Sequence, residues 1–453
     1  MTSIGRQKPE GEWADYGERI MSSFTSSLTR GIARHLLEKP VEPADLEAAA
    51  LFTLDAVANA VAGRNSDQGR ILLRWAEGRS MDPSREAFLM GALTHILEVD
   101  DIHKASVVHP GCVVVPAAWA MAQKNGASGH AFLKAVLWGF EATTRVGMAV
   151  GPAHYRIWHN TATCGPYGSA AASSALLGLD EDSLVNAFGN AGTQSAGLWE
   201  FLETGAMTKH LHAGRAAEAG VTAAELAAFG FTGPPGILEG VRGFFAAACP
   251  DAVPERVLAD PGQRWQLYET SIKPWPSCRH THPVIDATQM IRNRIIRVEA
   301  IKSIRIESYK AALDLCNNLD PESEYAAKFS LQHTVVAALS DDEVSFLSFD
   351  AAARERLRTL REKTSVSVTE TLEGAYPARW GGAVEVTLDD GTTMREERQD
   401  ALGDPEVPLP RERLIAKAKS LLEHGGSEEA ELLIDSVLGM ADDGEMPALN
   451  LLP

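Results

Sequence analysis

Gly165-Pro166-Tyr167-Gly168-Ser169-Ala170-Ala171-Ala172-Ser173-Ser174-Ala175 is a run of small residues with one large side chain and no charge. Side chains of that size let helix backbones approach closely, so the run reads as a core helix of a bundle. Alanine and leucine at helical spacing carry the same reading outward from residue 17 to about residue 258, with Gly or Pro breaking the pattern at intervals of helix length. In Pro43-Ala44-Asp45-Leu46-Glu47-Ala48-Ala49-Ala50-Leu51 the Pro and Asp suit a first helical turn, and Asp180 is a fitting N-cap for a helix over 180–191. This portion is expected to be all-α.

The composition shifts after Pro261. β-branched residues alternate over 265–272, 301–308, 365–371, 383–388 and 392–396, and Asp390-Gly391 between the last two is a hairpin turn signal. Helices are expected among them at 284–296, 324–339 and 350–363, and the helical pattern returns over 411–422 and 427–440. The expected fold class is mainly α with an α+β second domain. A large helical domain covers 14–262, 400–453 packs back on it, and a smaller α+β domain covers 263–399.

At 453 residues with 45% hydrophobic content, the chain can bury a large core. Residues 1–13 are polar, and no window approaches the roughly 18 uncharged apolar residues that cross a bilayer. No membrane partner is expected, and the chain reads as cytoplasmic. The five cysteines are far apart and form no C-x-x-C pair, which suggests reduced thiols rather than disulfides or a metal cage. A net charge of −19 argues against nucleic acid, which needs a broad basic face. A small anionic metabolite fits better. No G-x-G-x-x-G after a strand, Walker A, G-x-S-x-G or H-E-x-x-H pattern is present, so no nucleotide cofactor is expected.

Six of the thirteen histidines, His103, His109, His210, His212, His280 and His282, lie in three blocks with lysine, arginine and carboxylates. Glu98-Val99-Asp100-Asp101-Ile102-His103 crowds three carboxylates, which raises at least one pKa unless cations offset the charge; a solvated helix end is the alternative. His109 sits in an apolar run, as a core or a pocket residue. His159-Asn160-Thr161-Ala162-Thr163 precedes the small-residue helix. It reads either as a cap or as a loop leading to a helix N-terminus, where free N–H groups favour a carboxylate. Lys209, His212 and, less directly, Arg215 at i, i+3 and i+6 could converge on carboxylate oxygens, or pair on the surface with Glu203 and Glu218. Over 273–282, two prolines and Trp275 stiffen a segment that starts at Lys273 and presents Cys278, Arg279, His280 and His282. The His-x-His pair could ligate a metal, but no further ligand spacing supports one, and none is expected.

In this order, the blocks resemble the MmgE/PrpD family, which includes 2-methylcitrate dehydratases, cis-aconitate decarboxylases and iminodisuccinate epimerases. The resemblance runs from about residue 28 to the C-terminus. It is carried by Gly91-Ala92-Leu93-Thr94-His95 through Asp101, His109-Pro110-Gly111, 159–165, Gly189-Asn190-Ala191-Gly192, 207–217, Gly243-Phe244-Phe245, 273–282 and Ala327-Lys328-Phe329-Ser330. It implies a helical domain made from both chain ends, an inserted α+β domain, a homodimer and a metal-free site between the domains. Catalytic positions implied by the resemblance are Asp100 or Asp101, His109, His159, Lys209, and His280 or His282. Around them, His103, Thr161, Thr163, His212, Lys273 and Arg279 are expected to bind substrate. The chain departs from the family at Glu98-Val99-Asp100-Asp101-Ile102, where members commonly carry Asp-Phe-Asp-Asp-Thr. It departs again at His333, where many members have tyrosine.

The resemblance implies a cofactor-independent lyase that handles a proton on carbon next to a carboxylate of a citrate-like di- or tricarboxylate. His159 or His109 would serve as base or acid, with Asp101 or Asp100 orienting it. Two other readings stand beside it: an epimerase of an imino- or amino-dicarboxylate, and a non-catalytic anion-binding homologue.

Overall fold

The computed structural model describes residues 27–451 apart from 296 and 443; the start of the expected helical domain, 14–26, lies outside the described residues. Helices begin where the local chemistry supplies caps. Ser27 caps α1 (Leu28–Glu38), and α2 (Pro43–Gly63) opens on Pro43 behind a capping box of Glu42 and Asp45. Ser66 and Asp82 cap α3 (Asp67–Ala76) and α4 (Pro83–His95). The bundle continues through α5 (Gly111–Asn125), α6 (Gly129–Ala149), α7 (Asn160–Leu177), α8 (Glu181–Gly192) and α9 (Thr208–Ala228). Asp180 caps α8, its carboxylate accepting the Ser183 N–H.

The small-residue run is where three helices touch. A Cβ on Gly168 of α7 would lie 2.8 Å from the Gly139 carbonyl oxygen of α6, and one on Gly220 of α9 would lie 2.2 Å from the Ala170 nitrogen. Only glycine allows both approaches, which bring α6 and α9 against α7 at backbone distance.

Two strands outside the main sheet join the expected parts of the site. β1 (Ile102–His103) pairs antiparallel with β2 (Thr270–Ser271), Ile102 opposite Ser271 and His103 opposite Thr270. After α10 (His282–Arg292) comes a four-stranded sheet of β3 (Ile301–Ser308), β4 (Thr364–Val368), β5 (Gly382–Leu388) and β6 (Thr393–Arg398), with α11 (Leu331–Ser340) between β3 and β4. Its order is β4-β3-β5-β6; β3 and β4 run parallel and the other pairs antiparallel. Ile304, Ile306, Val384 and Val386 face inward and share a core with Val284 and Ile291 of α10 and Val335 of α11. On the opposite face Arg305 pairs with Glu385 at 3.1 Å and Arg395 with Glu307 at 2.8 Å. This is the alternation expected of a sheet covered on one side.

The chain then returns to the bundle with α12 (Arg411–His424) and α13 (Ala430–Gly439). Leu414, Leu421, Ile434 and Val437 from these helices join the core that holds Leu36, Val57, Leu93, Phe140 and Phe188. Among the described residues α2 is the one helix long and apolar enough to cross a membrane, and it lies mostly buried in this core. Its Asp55 accepts a 2.5 Å hydrogen bond from Lys417 of α12, which also donates to the Val99 carbonyl at 2.7 Å. Helix α12 thereby anchors the segment carrying Glu98, Asp100 and Asp101.

Some elements differ from expectation. Within 265–272 only Thr270 and Ser271 form a strand, because Trp265 and Leu267 turn into the helical core instead of pairing. The strand expected over 365–371 ends at Val368, and a short helix begins at Glu370. The helix expected over 324–339 is broken at Phe329, where Ser330 caps α11 by accepting the His333 N–H. The one over 350–363 breaks at Leu357. The helix expected over 284–296 starts earlier, at His282 with Pro283 in its first turn, and stops at Arg292.

Candidate active site

A cavity of about 750 Å³ opens between the helical bundle and the α+β part. Its lining includes Glu98, His109, His159 and Lys209 from the bundle and Lys273, Arg279 and His280 from the segment tied to β1 by the β1–β2 ribbon. Lys209 stands in the first turn of α9, and its Nζ donates to Glu98 Oε1 at 2.5 Å. Both are buried. Burial pushes Glu98 upward, but Lys209 and Lys273 override it and hold the carboxyl at about 2. Burial likewise works to lower Lys209, and the adjoining Glu98 carboxylate keeps it above its ordinary value. Glu98 has φ 61°, a left-handed conformation that non-glycine residues rarely adopt. That turn also aims its own carbonyl at Lys273 Nζ, 3.0 Å away. The two lysines are thus pinned by one strained residue.

His109 is the best-oriented imidazole. Its Nδ1–H donates to the Asp101 carbonyl at 2.6 Å, and the Asp100 carboxylate lies 3.4 Å from the same nitrogen. With Nδ1 engaged, the lone pair belongs to Nε2. Burial lowers His109 to about 4 even though Asp100 opposes the shift, so the ring is neutral at physiological pH. Burial would raise Asp100, but His95, whose Nδ1–H donates to it at 2.7 Å, and His109 carry it well below the carboxylate range. Its neighbour Asp101 goes the other way: burial first, then the charges of Asp100 and Asp55, push it well above that range. The crowding read from the sequence therefore splits two adjacent carboxylates.

His159 ends the loop before α7; its ring stacks on His95 at 5.8 Å between centroids and is tilted against Trp199 at 4.7 Å. Burial first, and then the neighbouring His95 and Lys209, hold it well below its ordinary value. Across the cavity Arg279 is fixed by the buried Asp404, to which both Nε and Nη2 donate, while Nη1 has no hydrogen-bond partner. His280 stacks on Trp380 at 4.5 Å, with Nδ1 at 2.5 Å from the Tyr309 hydroxyl.

Other expected residues stand behind the lining. Asp100 is outside the cavity lining and borders it through His109 and Lys273, 3.4 and 3.9 Å from its carboxylate. Asp101 directs both carboxylate oxygens to the Gly111 N–H at the start of α5, at 3.0 and 3.1 Å. His103 accepts from Ser106, Thr161 accepts the His109 N–H at 3.1 Å, and Thr163 bonds to His154. His212 meets His159 from the rear, Nδ1 to Nδ1 at 3.3 Å. His282 is the first residue of α10; its Nε2–H donates to the Ser277 carbonyl at 3.3 Å, and its ring lies against Trp275. Arg215 points to solvent and pairs with Glu218, because six residues of helix rotate it about 240° from Lys209. His333 lies outside the cavity lining, donating from Nε2 to the Ser348 carbonyl at 2.7 Å. Sequence reasoning missed Tyr155, Trp199, Tyr325, Tyr376 and Trp380, all of which line the cavity. Tyr325 had a usable signal, since it lies two residues before the Ala327-Lys328-Phe329-Ser330 motif.

Among the described residues, His95, Asp100 and His109 place three possible metal-ligand atoms within 4.8 Å of one another. Those atoms already share hydrogen bonds around Asp100 Oδ2, and His109 Nδ1 also donates to a carbonyl, so this donor set fits a proton network better than an ion.

The Asp101 cap has a testable consequence. Asp101→Ala removes the acceptor at the N-terminus of α5 and is expected to cost about 1–2 kcal/mol, read as a lower urea midpoint at unchanged m. Asp101→Asn keeps an oxygen acceptor and should be the milder change.

Comparison with known proteins gives the family. The MmgE/PrpD N-terminal domain matches residues 30–256 and the MmgE/PrpD C-terminal domain residues 275–440. The chain belongs to the MmgE/PrpD family. It is 27% identical over 371 residues to a cis-aconitate decarboxylase of Aspergillus terreus, covering 76% of this chain and 75% of that protein. It is 28% identical over 360 residues to the cis-aconitate decarboxylase of Homo sapiens, covering 75% and 73%. A mitochondrial 2-methylcitrate dehydratase of Yarrowia lipolytica is 25% identical over 340 residues, covering 70% and 65%.

Proposed function

We propose that the chain is a lyase acting on a citrate-like di- or tricarboxylate, removing water or carbon dioxide by proton transfer at carbon next to a carboxylate, with no cofactor. The observation that carries this reading is His109, a neutral imidazole with Nδ1 held by the Asp101 carbonyl and Asp100 behind it, in the same cavity as the Lys209–Glu98–Lys273 cluster. In dehydration His109 Nε2 takes the proton from carbon and the hydroxyl, given a proton, leaves as water; in decarboxylation carbon dioxide leaves and the enolate carbon takes up a proton. Lys209, Lys273 and Arg279 hold carboxylates and stabilise the enolate charge that develops, and His159 contributes a hydrogen bond to the same charge. Tyr325, on the α+β wall, is the group placed to return a proton. Its hydroxyl is kept protonated, burial first and then the Glu98 charge raising it above the ordinary phenol value. The relatives named above, two decarboxylases and a dehydratase, support the reaction class.

The pH dependence tests this assignment. A base must be deprotonated to act, and burial moves His109 down to about 4, so kcat/KM corrected for substrate ionisation should rise through pH about 4 and stay level through neutrality. Lys209 and Tyr325 are shifted upward, so their limb falls on the alkaline side. Measured on 2-methylcitrate, citrate and cis-aconitate, a profile whose acid limb sits at the ordinary imidazole value would rule out a buried His109 as base.

A further inference from the structure

The cavity is larger than the proposed chemistry needs. Its volume of about 750 Å³ lies in the range of roughly 300–1,000 Å³ that encloses drug-sized ligands. The buried charges Glu98, Lys209, Lys273 and Arg279 account for one region of its lining. Ile157, Leu198, Leu202 and Leu315 line the same cavity and are 57%, 51%, 42% and 38% exposed. Scattered exposed leucines are ordinary, but four large apolar side chains around one opening, with Trp199 among them, form a patch that wants a partner.

The charge at the opening points the same way. Glu200 and Glu203 are exposed carboxylates in the lining and Arg156 is an exposed cation, while Asp314 is paired with Lys310. A rim of that balance does not favour a polyanion along its whole length. It suits a molecule whose charge is confined to one end.

We propose that the substrate bears its carboxylates at one end and an apolar substituent, an alkyl chain or aryl group, at the other, and that Ile157, Leu198, Trp199, Leu202 and Leu315 hold that substituent. This rests on the lyase reading above and narrows its substrate class. The buried lysines and Arg279 fix the acid end beside His109, and the substituent runs outward between the bundle and the α+β wall, covering side chains that are otherwise wet.

The test is a homologous series of citrates carrying hydrogen, methyl, butyl or hexyl at one terminal methylene, assayed with the full chain. Each added methylene should raise kcat/KM about threefold to fourfold, and the variant Leu198→Asp with Leu202→Asp should flatten that slope. Turnover of the short acids with no gain, or a loss, along the series overturns the inference and leaves the lyase reading intact. If no member turns over, the lyase reading fails, and calorimetric Kd values for the same series decide the inference: tightening with chain length supports the apolar site, equal values overturn it.

Discussion

Lys209→Met should lower kcat/KM about a hundredfold to a thousandfold and destabilise the fold by about 3–5 kcal/mol. The stability loss comes chiefly from what remains. Glu98 is buried and strained at φ 61°, and without the ammonium at 2.5 Å its charge has only the more distant Lys273 carboxylate contact, at 3.9 Å. An uncompensated carboxylate in that setting costs more than the pair was worth. The double variant Lys209→Met with Glu98→Gln removes both charges and should recover most of the lost stability while remaining inactive, which separates folding from catalysis. The pH sign follows from Glu98. Its folded value of about 2 lies below the ordinary 4.5, so its contribution is complete above 4.5 and disappears as the pH falls through 2. Urea midpoints at pH 7 and pH 3 for the wild type and double variant should therefore converge at the lower pH.

His109→Ala is expected to cost about a hundredfold to ten-thousandfold in kcat, the usual span for a positioned general base. Asp100→Asn should cost less, because the Asp101 carbonyl still holds Nδ1–H at 2.6 Å and keeps the tautomer. It should also shift the acid limb of the pH profile, since Asp100 is the largest influence favouring the protonated ring against burial. A purely structural role for Asp100 would lower stability without moving that limb.

Local signals were legible where one neighbourhood decides the outcome. The Asp180 cap, the small residues of 165–175 and the Asp390-Gly391 turn between β5 and β6 each act within a few residues. The region 265–272 was not legible as a strand pattern, because the burial of Trp265 and Leu267 against the bundle is a tertiary fact. The site divides in the same way. The motifs name the right segments, and the structure brings His109, His159, Lys209, Lys273, Arg279 and His280 into one cavity. Spacing could not tell which side chains face inward. His280 and His282 are two residues apart, yet the 3-10 turn over Arg279–Thr281 sends one to the cavity and starts α10 with the other. Asp100 and Asp101 are adjacent, yet one backs an imidazole and the other caps a helix. Tyr325 and Trp380 reach the cavity from the α+β part, and isolated aromatics carry no sequence mark of such a position.

His109 is proposed to move a proton on carbon next to a carboxylate without a cofactor. Proton NMR in deuterated water tests it most directly, with EDTA-treated wild type and His109→Ala each given 2-methylcitrate, citrate and cis-aconitate. The expected result is loss of water or carbon dioxide from one of the acids by the wild type, lost in the variant at equal folded fraction. Turnover retained at wild-type rate in His109→Ala would contradict it, as would a wild-type activity that appears only when a metal ion is added back.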